Sequence, residues 1–319
     1  MRKFGLILCT MLVSGMLFRV QAQQDPQFTQ YMFNQLFFNP GFAGVEGAST
    51  FNLQYRNQWT GYQPSFGTTG GAPMTTTINF STPIYKFQSG FAGEITSDRL
   101  GPLNNLGVQA SYAYHLNVKN KKLSFGVRFG VISQSIDFDQ YRWADPDDPY
   151  RLEGKESQVR PDLGLGLYYQ AEKYFAGLSV NHVIEAQFDF GLDGLRNGLE
   201  TSMYLIGGYH YTASYNLVIT PSILVKSDFN TYSFDISAIA TYNDKMWGGI
   251  SFRQSEAAII ILGYSLLKDN SLKFGYSFDY IIQNQEAKQP TSHELLLSYV
   301  LPVSPFGGRK IIRTPRFRH

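Results

Sequence analysis

Cysteine is nearly missing from this chain. The 319 residues hold one, Cys9, inside an N-terminal stretch with the marks of a secretory leader. Arg2 and Lys3 give a basic start, Phe4 to Phe18 an apolar run, and Val20-Gln21-Ala22 the small residues of a cleavage site. Spanning a bilayer as a helix takes about 20 apolar residues, and this run is shorter. Residues 1–22 are therefore expected to be removed, leaving a chain that starts at Gln23 with no disulfide, thiol nucleophile or thiolate metal site.

Charge is also scarce, at 16% of residues, where a soluble domain carries about 25%. Beyond the leader no stretch reaches 18 continuous apolar residues, which excludes a helical membrane protein. There is no glycine-rich loop of the GxGxxG or Walker kind. His115, His182, His210, His293 and His319 show no metal-ligand spacing. No pattern fixes a nucleophile beside a base, so no cofactor and no catalysis are expected. The acidic stretch from Asp137 to Asp148 lacks the glycine and terminal glutamate of a calcium loop and reads as a solvated loop.

Glycine and aromatics are abundant instead, with 30 Gly, 25 Phe and 21 Tyr. They fall into a period of two. Phe274, Tyr276, Phe278 and Tyr280 share one parity, against Lys273, Gly275, Ser277 and Asp279. Leu123, Phe125, Val127, Phe129 and Val131 stand against Lys122, Ser124, Gly126, Arg128 and Gly130. Successive strand side chains point to opposite faces, so each segment has an apolar face and a small or polar one. A soluble sandwich would charge its outer face richly. Here the second face is mostly Gly, Ser, Gln and Thr, which suits the interior of a barrel whose aromatic face meets lipid.

About fourteen such segments follow, starting near Ser49, Pro73, Phe87, Asn105, Lys122, Gln158, Tyr174, Thr201, Ser214, Asn230, Lys245, Ala257, Ser271 and Ser292. Most run about 9 to 12 residues, the length of a tilted membrane strand. Connections after even-numbered segments are mostly tight, whereas 60–72, 135–157, 181–200 and 282–291 are long; the alternation is imperfect, since 226–229 and 254–256 are short where a long loop has room. Short periplasmic turns and long outer loops are usual for outer-membrane barrels. The expected fold is an all-β transmembrane barrel over 47–302 with both termini, Gln23 and His319, in the periplasm.

Two segments fall outside the alternation. Taking Arg2, Lys3 and Arg19 from the 27 basic residues leaves 24 against 25 acidic ones, and five of those crowd into the tail 303–319. Arg309, Lys310 and Arg313 lead this basic cluster, read as an arm for an acidic periplasmic partner or lipid head groups, or as a merely solubilising tail. Residues 23–46 are aromatic and broken by turn signals. The spacing of Phe28, Tyr31, Met32 and Leu36 allows one short helix, packed into the barrel's lumen or lower mouth or laid on the membrane. As a plug, it would use Phe28, Tyr31 and Phe33 as packed anchors, with Asn34 and Asn39 shaping turns around Pro40. On the first strand Arg56 and Gln58 share a parity opposite to Tyr55 and Trp59. If that parity faces the lumen, Arg56 is the natural donor to carbonyls or a carboxylate of the segment.

Residues 24–44 resemble the N-terminal signature QDPxFTQYMFNxxxxNPxxAG of the PorP/SprF family of outer-membrane proteins. Tyr55-Arg56-Asn57-Gln58-Trp59, followed by Pro73, is similar to that family's YRxQW…P region, and His293-Glu294 to the HE pair of its closing strand. The resemblance runs from Gln24 to about Pro302, and the basic extension beyond departs from it. It implies a non-enzymatic component of type IX secretion or the linked gliding machinery, in Bacteroidota. Such a component would bind, present or anchor a secreted surface adhesin carrying a type B C-terminal domain, and would meet periplasmic motor-associated proteins. An outer-membrane channel or small-solute transporter is the alternative. Nucleic acid is not an expected partner.

Overall fold

Alternation alone determines most of this architecture, because each strand has one face that tolerates lipid and one that needs enclosure. The computed structural model describes residues 25–62, 71–141, 152–190, 196–267, 269–283 and 288–301. The strands are β1 (Thr50–Asn57), β2 (Met74–Ile84), β3 (Ser89–Leu100), β4 (Leu103–Val118), β5 (Lys121–Asp137), β6 (Lys155–Gln170), β7 (Tyr174–Asn181), β8 (Gln187–Asp189), β9 (Arg196–Gly198), β10 (Ser202–Tyr209), β11 (Tyr211–Ser214), β12 (Leu217–Ser227), β13 (Tyr232–Tyr242), β14 (Met246–Arg253), β15 (Ala257–Leu266), β16 (Leu272–Ile281) and β17 (Thr291–Val300).

All but β8 and β9 join one antiparallel sheet, which closes where β1 meets β17, with Thr50 opposite Val300 and Asn57 opposite His293. β10 and β11 are two pieces of one strand, paired to β12 and parted at His210. The barrel thus has 14 staves, and each starts within three residues of the position marked by the alternation. Every stave has a neighbour on both sides, although β6 pairs with β7 only from Leu165 to Gln170 and its earlier half with β5 alone. No helix among the described residues is long and apolar enough to cross a membrane.

The faces fall as the parity requires. Phe125, Phe129, Phe274 and Tyr280 are exposed on the outer wall, while Ser124, Arg128, Ser277 and Asp279 are buried inside. Two features differ from expectation. β4, β5 and β6 run to 16, 17 and 16 residues, so this part of the wall stands taller than a membrane needs. The long connection after β7 also forms a hairpin of its own, β8–β9. Phe188 and Phe190 from this connection pack with Ile132 and Phe138, while Arg160 of β6 donates to Gln187 O at 2.8 Å. The hairpin folds onto the inward face of the tall wall.

Candidate functional site

The lumen is occupied by the chain's own N-terminal segment, which runs through it as a strap. The single helix suggested by the spacing of Phe28, Tyr31, Met32 and Leu36 does not form. Three separate turns take its place, Tyr31–Phe33, Gln35–Phe38 and Pro40–Phe42. Asn34 and Asn39 interrupt them, and the extended backbone of Asn39 (φ −137°, ψ 111°) is what a following proline demands. Asn39 accepts from Gly41 N at 2.8 Å and donates to Leu167 O at 3.0 Å. Asn34 instead reaches the wall, donating to Gln54 at 2.7 Å and accepting from Asn79 at 2.8 Å. Its amide is drawn sideways rather than used as a helix cap.

Apolar anchoring divides between two sides of the barrel. Phe28, Tyr31, Phe37 and Phe38 form a buried cluster with Tyr168, Phe175, Tyr204, Ile206 and Leu224. Phe33 is only partly buried and lies against Trp247, ring centroids 5.2 Å apart, beside Ile239 and Ile261. Burial of each such side chain is worth roughly 1.5–3 kcal/mol. Pro40 is buried at the head of the last turn.

Arg56 does face the lumen. It donates to Thr29 Oγ1 of the strap at 2.6 Å and pairs with Asp279 at 2.8 Å and Glu294 at 3.2 Å. The carboxylates therefore come from β16 and β17, not from the strap as expected, because the strap presents only a hydroxyl and amides here. Glu294 accepts from Thr29 N (2.7 Å), Gln30 N (2.8 Å) and Gln54 Nε2 (2.6 Å) as well as from Arg56. A carboxylate has about four acceptor positions, and the strap fills two of them. Thr29 Oγ1 also donates to Asp279 at 2.8 Å.

A second cluster abuts the first. Arg253 pairs with Asp235 at 3.2 Å, Glu256 at 3.5 Å and Asp279 at 3.7 Å, and Lys226 approaches Asp235 at 3.5 Å. Gln58 donates to Glu256 at 3.1 Å. Trp59 does not follow the parity of Tyr55. β1 ends at Asn57, the Trp59 backbone is left-handed at φ 52°, and its ring packs against the interior isoleucine cluster.

Further along, Arg128 donates to the carbonyls of Leu36 and Phe37, and Ser179 and Asn181 donate to Phe38 O. Glycines on the wall make room for this contact. A Cβ at Gly126 would overlap Gly41 N and Pro40 C, and one at Gly166 would overlap the Asn39 side chain. These glycines serve close approach rather than curvature alone.

The strap has a direction. Its start is held where β7, β10 and β12 meet the long connections. Asp25 there bonds His182 Nε2 at 2.8 Å and accepts from Tyr204 Oη, while His182 Nδ1 meets Asp162 at 2.8 Å. Burial opposes the charge on His182, but Asp25 and Asp162 outweigh it and raise its pKa to about 10. Burial likewise raises Asp25, yet the neighbouring His182 charge and hydrogen bonds leave it below the ordinary carboxylate value. The strap's other end enters β1 at the tight-turn end, where Tyr85 donates to Gly47 O. At that end a vestibule of about 1420 Å³ opens, floored by Met32, Phe33, Phe42 and Val45.

Sequence reasoning missed Lys226, Asp235, Arg253, Glu256, Asp279 and Glu294 as strap-side residues. Their signal was inward parity near the long connections. It also missed a pairing of His115 Nδ1 with Ser124 Oγ at 2.8 Å; Ser124 is fully enclosed. Among the described residues no group of three or more His, Cys, Asp or Glu is placed to hold a metal. Arg309, Lys310 and Arg313, the leader with Cys9, and 142–148 of the acidic loop lie outside the described residues.

A closed antiparallel barrel with an apolar outer wall and a strapped interior defines an outer-membrane β-barrel protein. The solved structure of the Ralstonia pickettii toluene transporter TbuX is similar, with a TM-score of 0.53 and 14% identity over 83% of this chain and 92% of that one. The CymD monoaromatic hydrocarbon channel is similar at a TM-score of 0.50 and 12% identity, over 86% and 94%. At such identities the likeness is one of fold. No curated protein matches the sequence. The model of the type IX secretion system membrane protein PorP/SprF matches residues 20–299, and the chain belongs to that family.

Proposed function

We propose that this protein is a non-enzymatic component of type IX secretion whose barrel acts as a closed holder rather than a solute pore. It binds, presents or anchors a secreted surface protein with a C-terminal sorting domain, in company with periplasmic proteins of the machinery. One observation carries this reading. Three stretches far apart in sequence, Thr29-Gln30, Arg56 and Glu294, meet at one buried site that fixes the strap in the lumen. A strap held this way occupies the path that an open pore would leave free for small solutes.

The orientation that fits has the long connections outside and the tight turns in the periplasm, with residues 1–22 removed. The start of β1 and the end of β17 then face the periplasm. In that orientation Asp25 lies towards the outer mouth, and the strap from Asp25 to β1 runs through the lumen.

Planar-bilayer conductance tests the proposal. The wild type is expected to be closed and a variant lacking residues 24–40 to conduct, with surface display of the cognate adhesin lost in the deletion strain. Stable conductance in the wild type, with display intact in the deletion strain, overturns the holder and favours the transporter.

A further inference from the structure

β6 carries an edge that the barrel itself leaves unused. β7 reaches no further than Asn181, opposite Ser202 of β10, and pairs with β6 only from Leu165 to Gln170. Beyond that point β6 continues to Lys155, about 30 Å along the strand. Its one pairing strand there, among the described residues, is β5. Ala171 N donates to Tyr174 O and Val183 N to Leu163 O. The odd-numbered residues of β6 therefore aim their backbone groups at this edge, and the even ones bond β5. Lys155, Ser157, Val159 and Pro161 are exposed along it.

Near Leu165 the edge is guarded. Val183 N fills Leu163 O at 3.0 Å, and Pro161 has no N–H to leave bare, as suits a proline at a strand edge. Higher up the outer face turns polar, from Phe129 and Val131 to Ser133 and Asp137 on β5, and from Leu165 to Ser157 and Lys155 on β6. This part of the wall stands in water above the lipid. Arg160 donates to Val159 O at 3.2 Å. That leaves open the N–H groups of Lys155, Ser157 and Val159 and the carbonyls of Lys155 and Ser157. Val159, Val183 and Ile184 are exposed beside them. The β8–β9 hairpin is tied to inward side chains instead, with Gln158 donating to Asp189 O and Arg160 to Gln187 O.

We propose that this edge receives an extended strand of the secreted surface protein. The inference rests on the holder function, which supplies both the partner and the orientation. Main-chain pairing at an open edge selects an extended backbone, and pockets for alternate side chains add preference. Here the contacts suit apolar residues beside Val159, Val183 and Ile184, and an acidic or hydroxyl residue beside Lys155. A second copy of the barrel does not meet this geometry. In a shared membrane both β6 strands descend in the same direction, each tilted about 40°, so two facing edges cross at about 80°. No antiparallel ladder forms between them. The strand therefore belongs to a protein that approaches from the surface.

The probe is the surface protein that disappears from cells when the barrel's gene is deleted, identified by surface biotinylation of the two strains. Ser157→Pro combined with Val159→Pro strips two open N–H groups and spares the bonds to β5, as Pro161 does two residues on. Each lost bond weakens binding about fivefold, so the dissociation constant of the purified pair should rise about thirtyfold. Ser157→Ala combined with Val159→Thr keeps the backbone groups and should change it by no more than about twofold. A heat-modifiable band verifies each barrel. Hydrogen exchange on the unaltered chain keeps the test valid if the prolines impair assembly: the Ser157 and Val159 amides should exchange freely in the barrel alone and about tenfold or more slowly in the pair. Unchanged affinity of an assembled double-proline barrel, or no slowing of these amides in the pair, overturns the strand site and leaves the holder standing. Protection that grows with the concentration of the barrel alone belongs to a second copy and overturns it as well. A deletion strain that loses no surface protein overturns the holder and this inference together.

Discussion

Arg56 is the residue on which the strap's attachment most depends. It serves two buried carboxylates and one strap hydroxyl at once. Removing one partner of a buried ion pair costs about 3–5 kcal/mol, because the remaining charge stays uncompensated. Arg56→Ala should therefore lower the denaturation midpoint of the folded barrel by an amount of that order. Thr29→Val should cost less, about 1–3 kcal/mol, since it deletes a neutral link to Asp279 and Arg56. Urea titration of both variants in detergent checks the ranking, and an Arg56→Ala chain as stable as wild type would refute it. The inward orientation of Arg56 was legible in the first strand's alternation. Its acceptors were not, because they depend on the register that sets Arg56 opposite Glu294 and Glu294 opposite Ser277. Non-local pairing of this kind leaves no trace in local periodicity.

His182 gives the strap a pH dependence. Its pKa is raised from 6.5 to about 10 against burial by Asp25 and Asp162. A group with a raised folded pKa stabilises fully below its unfolded pKa and loses that contribution as pH climbs through the folded one. Asp25, held low, contributes above its ordinary value of about 4 and fails only in acid. The clasp is thus strongest between about pH 4 and 6.5 and weakens towards pH 10. Thermal unfolding of wild type and His182→Gln across that range should show a difference that is largest near pH 6 and shrinks towards pH 10. A constant difference would remove the charge from the account.

At the scale of elements, fourteen staves were legible because alternation marks each of them, although β4, β5 and β6 outrun the length expected of a membrane strand. The strap was legible as something neither strand nor linker, but not as three turns. Its apolar spacing fits a helix. What breaks the helix is the wall, which draws Asn34 to Gln54 and Asn79, and Asn39 to Leu167 O. The inward glycines carry the complementary lesson, since a glycine facing a backbone and one relieving curvature look identical in sequence. Gly126→Val should leave the β4–β5–β6 pairing intact while pushing Pro40 and Gly41 off the wall. The expected result is a normal heat-modifiable barrel with conductance where the wild type is closed. A closed Gly126→Val barrel would show that the strap tolerates displacement without opening a path.

At the scale of the whole molecule, the even stave count puts the start of β1 and the end of β17 at one end, and connection length distinguishes that end from the other. β13 offers a direct test, because its two ends lie at opposite mouths. Asn230 precedes it on the long-connection side, and Asn243 follows it in a tight turn. A single cysteine at either place meets no competing thiol once residues 1–22 are removed. An impermeant maleimide added to intact cells should label Asn230→Cys, and should label Asn243→Cys only after the outer membrane is permeabilised. The converse pattern would invert the barrel, place the vestibule outside and move the strap's clasped start at Asp25 to the periplasmic mouth. The holder would then meet its secreted partner at the tight-turn end, and the tall β4–β6 wall with its hairpin would face the periplasmic machinery.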